Sequence, residues 1–264
     1  MQDLNIAIIQ TYLFWEEPAR NLEHFNRLLC EVNSSRDLIL LPEMFNTGFS
    51  INPQCCSETM DGPSVQFLQD TAIKKNAVVM ATVMIRDPVG FYNRLICMYP
   101  DGRYKTYDKR HLFRLSEEYK LFYQGKDHLI VDVKGWKIMP QICYDLRFPV
   151  WSKNTYQDQQ YAYDVLIYLA NWPNSRANVW KTLLTARAME NQVFVVGVNR
   201  IGDDAQGAYH SGDSMVIDAK GNPIAKANEG KEQILNTTLS ATDLKLFRES
   251  FTLGMDWDQF RIIV

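Results

Sequence analysis

Along the first third of the chain, short apolar runs alternate with stretches whose apolar residues recur every three or four positions. Residues 4–10 form a run suited to a buried strand; after a polar loop, Leu22, Phe25, Leu28, Leu29 and Val32 share one face at helical spacing. Residues 38–41 read as a second buried strand stopped by Pro42, and Asn46, Gly48, Ser50, Asn52 and Pro53 then supply loop chemistry. Val65, Leu68 and Ala72 predict a second helix behind Pro63, a residue favoured in a first turn because its missing N–H is unused there. Residues 77–85 follow as a strand, and residues 91–99 join 103–106 through Pro100-Asp101-Gly102, a hairpin-like signal.

Further on, residues 129–133, 137–143, 165–170 and 193–198 are strand-like, with a helix over 177–191. Residues 214–217, the turn Ala219-Lys220-Gly221-Asn222-Pro223 and the segments beyond it predict an antiparallel meander, followed by a last helix over 241–251. No linker, repeat or low-complexity tract interrupts this order. It predicts one α/β domain over residues 1–264, with mixed sheets covered by helices.

Composition narrows the picture. With 46% hydrophobic and 22% charged residues the chain can bury a large core, which excludes a disordered or collagen-like protein. A net charge of -3 offers no basic surface for nucleic acid or anionic lipid. No apolar run approaches the ~20 residues that span a bilayer, and the N-terminus lacks the charged and apolar regions of a signal peptide, so a cytoplasmic location is expected. The five cysteines are an odd number without CxxC spacing, so neither a disulfide framework nor a zinc site is indicated. Cys30 on an apolar helix face and Cys97 within a strand pattern suit packing roles, and the Cys55-Cys56 pair in a polar loop has no assigned one.

In α/β sheets functional groups gather where strands finish. Three such residues make a set for attack on a carbonyl: Glu43 after residues 38–42, Lys109 after 104–108 and Cys143 after 138–142. A thiolate is the nucleophile of cysteine chemistry; a nearby ammonium favours it and stabilises the oxyanion formed on attack. A carboxylate can take the thiol proton, pass a proton to a leaving amine and then activate water. His111, two residues after Lys109, offers a Cys-His pair as an alternative. His24, His128 and His210 have no metal-ligand spacing, and Gly202 to Gly207 has P-loop glycine spacing but is followed by Ala208-Tyr209 where Lys and Ser/Thr are needed. Neither a metal nor a cofactor is implied.

The chain resembles the nitrilase superfamily of carbon-nitrogen hydrolases over nearly its whole length. The matching segments are Leu40-Leu41-Pro42-Glu43-Met44-Phe45, Tyr107-Asp108-Lys109-Arg110-His111-Leu112-Phe113, Gln141-Ile142-Cys143-Tyr144-Asp145-Leu146-Arg147-Phe148-Pro149 and Ala186-Arg187-Ala188-Met189-Glu190-Asn191-Gln192. They follow the family's order, Glu43, Lys109 and Cys143 standing 66 and then 34 residues apart. Asn171-Trp172-Pro173 with Arg176 and Trp180, and the segment from Phe251-Thr252 to Phe260, look most like the bacterial omega-amidase branch.

The resemblance implies a Glu43-Lys109-Cys143 triad, a four-layer α-β-β-α sandwich in which two mixed sheets pack face to face, and a homodimer. It also implies a second glutamate seven residues before a glycine; Gly125 places it at Glu118, with Glu117 one position away. The backbone N–H of Tyr144 is then the second oxyanion donor beside Lys109. Arg147 and Arg176 follow motif segments and could clamp a small anion, although Asp145 could instead pair Arg147. Phe45, Phe113 and Trp172 are candidates for the pocket wall. The expected partner is a small amide, the terminal amide of a short 2-oxo dicarboxylate monoamide such as 2-oxoglutaramate or 2-oxosuccinamate. The runner-up readings are another amidase, a nitrilase or an N-carbamoyl hydrolase; a silent binding module that keeps the fold is disfavoured because Glu43, Lys109 and Cys143 are all present.

Overall fold

A computed structural model describes residues 1–33 and 35–263. The first half lays down Leu4–Gln10 (β1), Pro18–Glu31 (α1), Leu38–Leu40 (β2), the short Pro53–Cys56 (α2), Pro63–Lys75 (α3), Val78–Arg86 (β3), Phe91–Met98 (β4), Tyr104–Asp108 (β5) and the single turn Glu118–Leu121 (α4). The second half continues with Val131–Val133 (β6), Trp136–Ile142 (β7), the small hairpin Tyr156–Gln157 (β8) and Gln160–Tyr161 (β9), Val165–Ala170 (β10), Ala177–Asn191 (α5) and Phe194–Asn199 (β11). A second small hairpin, Ile201–Asp203 (β12) and Tyr209–Ser211 (β13), precedes Met215–Ile217 (β14), Pro223–Lys226 (β15), Gln233–Leu239 (β16) and Ala241–Ser250 (α6).

Two six-stranded sheets result, in the orders β16-β1-β2-β3-β4-β5 and β15-β14-β11-β10-β7-β6. Each is parallel at its centre and antiparallel at its edges, hence mixed. One expectation is corrected here. The meander ends at β15, and β16 crosses to the other sheet, where it runs antiparallel to β1 with Leu4 opposite Leu239. The two small hairpins and α4 are too short to leave a periodic trace in the sequence.

Side-chain alternation builds the layers. Leu4, Ile6 and Ile8 of β1 enter the core shared with Ile138, Ile167 and Val196 of the facing sheet, whereas Ala7 and Ile9 point outward under Phe25 and Leu28 of α1 and Leu68 of α3. A strand buried on both faces reads as a continuous apolar run, which is why β1 lacks polar alternation. On the opposite side α5 lies directly on β11: a Cβ at Gly197 would come 2.5 Å from Leu184 and 2.7 Å from Trp180. The layers are therefore helix, sheet, sheet, helix. Phe45, a candidate for the pocket wall, is instead fully buried in the outer core against Phe25 and Phe67. Cys30 is exposed rather than packed, because it lies off the buried stripe of Phe25, Leu28 and Leu29. Among the described residues no helix is long and apolar enough to cross a membrane.

Candidate active site

Four strand ends meet at one rim of the sandwich: β2 leads through Leu41-Pro42 to Glu43, β5 to Lys109, β7 to Cys143 and β10 to Asn171. Cys143 opens a tight 3-10 turn, Cys143–Arg147, with φ +43°, a left-handed backbone that side chains rarely adopt and that costs on the order of 1–3 kcal/mol. Neighbouring contacts hold the turn. Asp145, fully buried, accepts hydrogen bonds from the backbone of Ile142 and His111, from the Tyr107 hydroxyl and from the His111 ring. On the other side Arg187 of α5 donates to the carbonyl of Leu146 at 2.6 Å.

Lys109, Glu43 and Glu118 are all fully buried, and Lys109 Nζ lies 2.9 Å from Glu43 Oε1 and 3.0 Å from Glu118 Oε1. Glu117, the alternative second glutamate, is exposed at the cavity rim and pairs with Lys120. Burial opposes the Lys109 charge, but Glu118 and Glu43 outweigh it and hold the ammonium above its ordinary range. Burial raises the proton affinity of Glu118, with Lys109 and the Phe113 backbone N–H acting against it. Burial, then Glu43, push the Cys143 thiol well up, while Lys109 pulls it down. Cys143 thus rests as a thiol beside a carboxylate.

Asn93 and Asn171 complete the cluster. Both are buried; Asn93 Nδ2 donates to Glu43 and to Glu118, and the Asn171 backbone N–H donates to Glu43 Oε2. Sequence reasoning gave neither a role, although an Asn inside the apolar run of β4 is the kind of signal that marks one.

A cavity of about 440 Å³ opens above this cluster, bordered by Cys143, Tyr144, Phe113, Trp172, Arg147 and Arg176. Asp145 is not the partner of Arg147, because its oxygens are taken by the contacts above. Instead Arg147 lies over Trp172 at 5.1 Å and Arg176 over Phe113 at 5.4 Å. Among the described residues neither guanidinium has a carboxylate within ion-pair distance. Burial, followed by neighbouring Arg147, lowers the Arg176 pKa, partly countered by Cys143. Two unneutralised cations on one wall favour an anion between them. His111 faces away from Cys143, its ring bonded to Asp145 and stacked 3.7 Å from Phe148, so the structure does not form a Cys-His pair. The segment with P-loop spacing forms the β12–β13 hairpin, whose Asp204 and Gln206 sit on the cavity rim.

Known proteins share this architecture. Residues 5–249 match the family described as Carbon-nitrogen hydrolase. The chain is 42% identical to the Omega-amidase YafV of Yersinia enterocolitica over the full length of both, and 30% identical to a 2-oxoglutaramate amidase of Bacillus subtilis over 95% of this chain and 96% of that one. It superposes on the crystal structure of XC1258 from Xanthomonas campestris, described as a CN-hydrolase superfamily protein with an arsenic adduct in the active site, with a TM-score of 0.97 and 41% identity, covering 99% of this chain and 100% of that one. Fold, strand-end cluster and relatives agree, and the chain belongs to the carbon-nitrogen hydrolase family of the nitrilase superfamily.

Proposed function

We propose that the protein hydrolyses the terminal amide of a short 2-oxo dicarboxylate monoamide, 2-oxoglutaramate or 2-oxosuccinamate, releasing ammonia through a thioester on Cys143. The observation that carries this reading is the pair of unneutralised guanidiniums, Arg147 and Arg176, on the wall of the cavity that holds Cys143, Lys109 and the buried glutamates. A carboxylate clamped there would set the far amide carbon over the thiol, converting binding energy at one end into orientation at the other. The names of the relatives support the same substrate class.

In this mechanism Glu43 accepts the Cys143 proton as sulfur bonds to the amide carbon. The Lys109 ammonium and the Tyr144 backbone N–H stabilise the oxyanion. Glu43 passes its proton to the departing nitrogen, ammonia leaves, and Glu43 then takes a proton from the water that attacks the thioester; the C–S bond breaks, the acid leaves and that proton returns to the Cys143 sulfur. Glu118 keeps Lys109 charged and in place. All steps belong to one domain, and the reading includes a homodimer, for which light scattering at micromolar concentration is the check.

The test compares kcat/KM for 2-oxoglutaramate with that for a neutral amide of similar length and for a nitrile. The anionic amide should be preferred. Preference for the neutral amide or the nitrile would overturn the substrate assignment and leave the cysteine chemistry standing.

A further inference from the structure

The two buried glutamates differ in how many of their acceptor sites are filled. An ionised carboxylate offers about four such sites, two on each oxygen. Glu118 has a donor for each: Oε1 receives Lys109 Nζ at 3.0 Å and Asn93 Nδ2 at 3.2 Å, and Oε2 receives Lys109 Nζ at 3.1 Å and the Phe113 N–H at 2.6 Å. Glu43 has three donors: Lys109 Nζ and Asn93 Nδ2 on Oε1, each at 2.9 Å, and the Asn171 N–H on Oε2 at 2.8 Å. One site on Oε2 stays open. It lies on the nucleophile's side, because Asn171 also presents its carbonyl to Cys143 Sγ at 3.8 Å.

We infer that Asn93 divides the roles of the two glutamates: by filling a site on each, it keeps Glu118 a proton-free partner of Lys109 and leaves Glu43 Oε2 as the oxygen that takes the Cys143 proton. The inference rests on the proposed roles of Cys143 and Glu43. In the forward step the Sγ–H proton moves to Oε2 while a sulfur electron pair forms the C–S bond and the carbonyl pair moves onto oxygen. The same proton then goes from Oε2 to the amide nitrogen as the C–N bond breaks. Asn93 neither gains nor loses a proton and does not border the cavity, so it is a positioning residue.

The residue type fits the task. A primary amide carries two N–H donors on one nitrogen, one for each glutamate, whereas Asp has none and Ser or Thr has one. The flipped amide would set Oδ1 against two carboxylates, so electrostatics decides its orientation. Its backbone is anchored as well: Asn93 pairs with Met84 of β3, and its carbonyl accepts the Lys109 N–H at 3.0 Å. The charged and titratable groups around Glu43 are Lys109, Glu118 and Cys143, and Arg147, Arg176, Glu117, Asp204 and His210 line the cavity beside it.

The test is the pH profile of Asn93→Asp and Asn93→Ala, measured both as kcat/KM for 2-oxoglutaramate and as the rate of Cys143 alkylation by iodoacetamide, read on its own peptide by mass spectrometry. Losing donors to the ionised glutamates raises their proton affinity, so the acidic limb should move to higher pH. The shift should be on the order of one pH unit for Asn93→Asp, which adds a third carboxylate, and smaller for Asn93→Ala. The loss should fall on kcat, with KM unchanged. A limb that stays in place in folded variants, or a loss confined to KM, overturns the inference; Asn93→Ala carries the test should Asn93→Asp fail to fold. Alkylation does not depend on the substrate: a shifted alkylation profile in a protein that ignores 2-oxoglutaramate sinks the proposed substrate and keeps the role of Asn93, and an unshifted profile in an active amidase does the reverse.

Discussion

Cys143 combines burial, a left-handed backbone and a thiol whose pKa stands well above the usual range, and no other cysteine of the chain has this setting. Cys97 is also buried, which raises its pKa to about 12, but it faces the core between the sheets and is influenced by Tyr99 and Lys105 rather than by Glu43 and Lys109. Turnover should therefore vanish in Cys143→Ala and persist in Cys97→Ala, and a hydroxylamine-labile mass shift after brief substrate exposure should map to Cys143. Glu43→Gln and Lys109→Arg should each lower kcat/KM by about 10²- to 10³-fold, because Gln offers no proton acceptor of comparable basicity and a planar guanidinium cannot sit where one ammonium meets two carboxylates. Near-normal kinetics in either would remove the triad. Glu118→Gln should be impaired, whereas Glu117→Gln, exposed at the cavity rim and without contact to Lys109, should lose far less activity. At this scale the sequence showed Glu43, Lys109 and Cys143 because each follows a strand-like segment. Asn93 and Asn171 stayed silent, since hydrogen bonds to residues 50 and 128 positions away leave no local pattern.

The elements matter here through their ends. Gly125, which located Glu118 in the sequence, is required by close approach: its N–H bonds the Lys109 carbonyl, and a Cβ would stand 2.0 Å from the Asp108 carbonyl oxygen. Gly125→Ala must push the strand end carrying Lys109, at a cost of about 1–3 kcal/mol in urea denaturation. The same change should lower kcat more than a surface substitution of equal destabilisation would. Strands and long helices were legible because their apolar periods extend over many residues. The 3-10 turn at Cys143 was not, because it is held by Tyr107, His111 and Arg187 from separate segments, the first two through Asp145 within the turn.

For the molecule as a whole, pH reports how the cavity rim is built into the fold. His210 of β13 is buried, and burial with Arg200 beside it lowers its pKa from 6.5 to about 4. Between these values the unfolded chain binds a proton that the folded chain refuses, so stability falls as pH drops below about 6.5 and the loss is complete below about 4. The difference amounts to roughly 3 kcal/mol. Urea denaturation between pH 7 and pH 4.5 should show this slope, and it should be shallower in His210→Gln; an equal slope would assign the acid sensitivity to other groups. The cavity's two cations give a further outcome: Arg147→Ala and Arg176→Ala should each erode the preference for an anionic over a neutral amide, and an unchanged preference would remove the clamp without touching the triad.

The sequence by itself determined the succession of buried strands and covering helices and put Glu43, Lys109 and Cys143 at strand ends, because these depend on local periodicity; the glutamate seven positions before a glycine was what the family resemblance implied. Only the tertiary structure decided that β16 joins the first sheet, that Phe45 belongs to the core and that Asp145 binds His111 and Tyr107 rather than Arg147. It also decided which donors fill the acceptor sites of Glu43 and Glu118. Those outcomes depend on contacts between residues far apart in the chain, where burial makes every hydrogen-bond site count and no spacing along the sequence records which donor fills it.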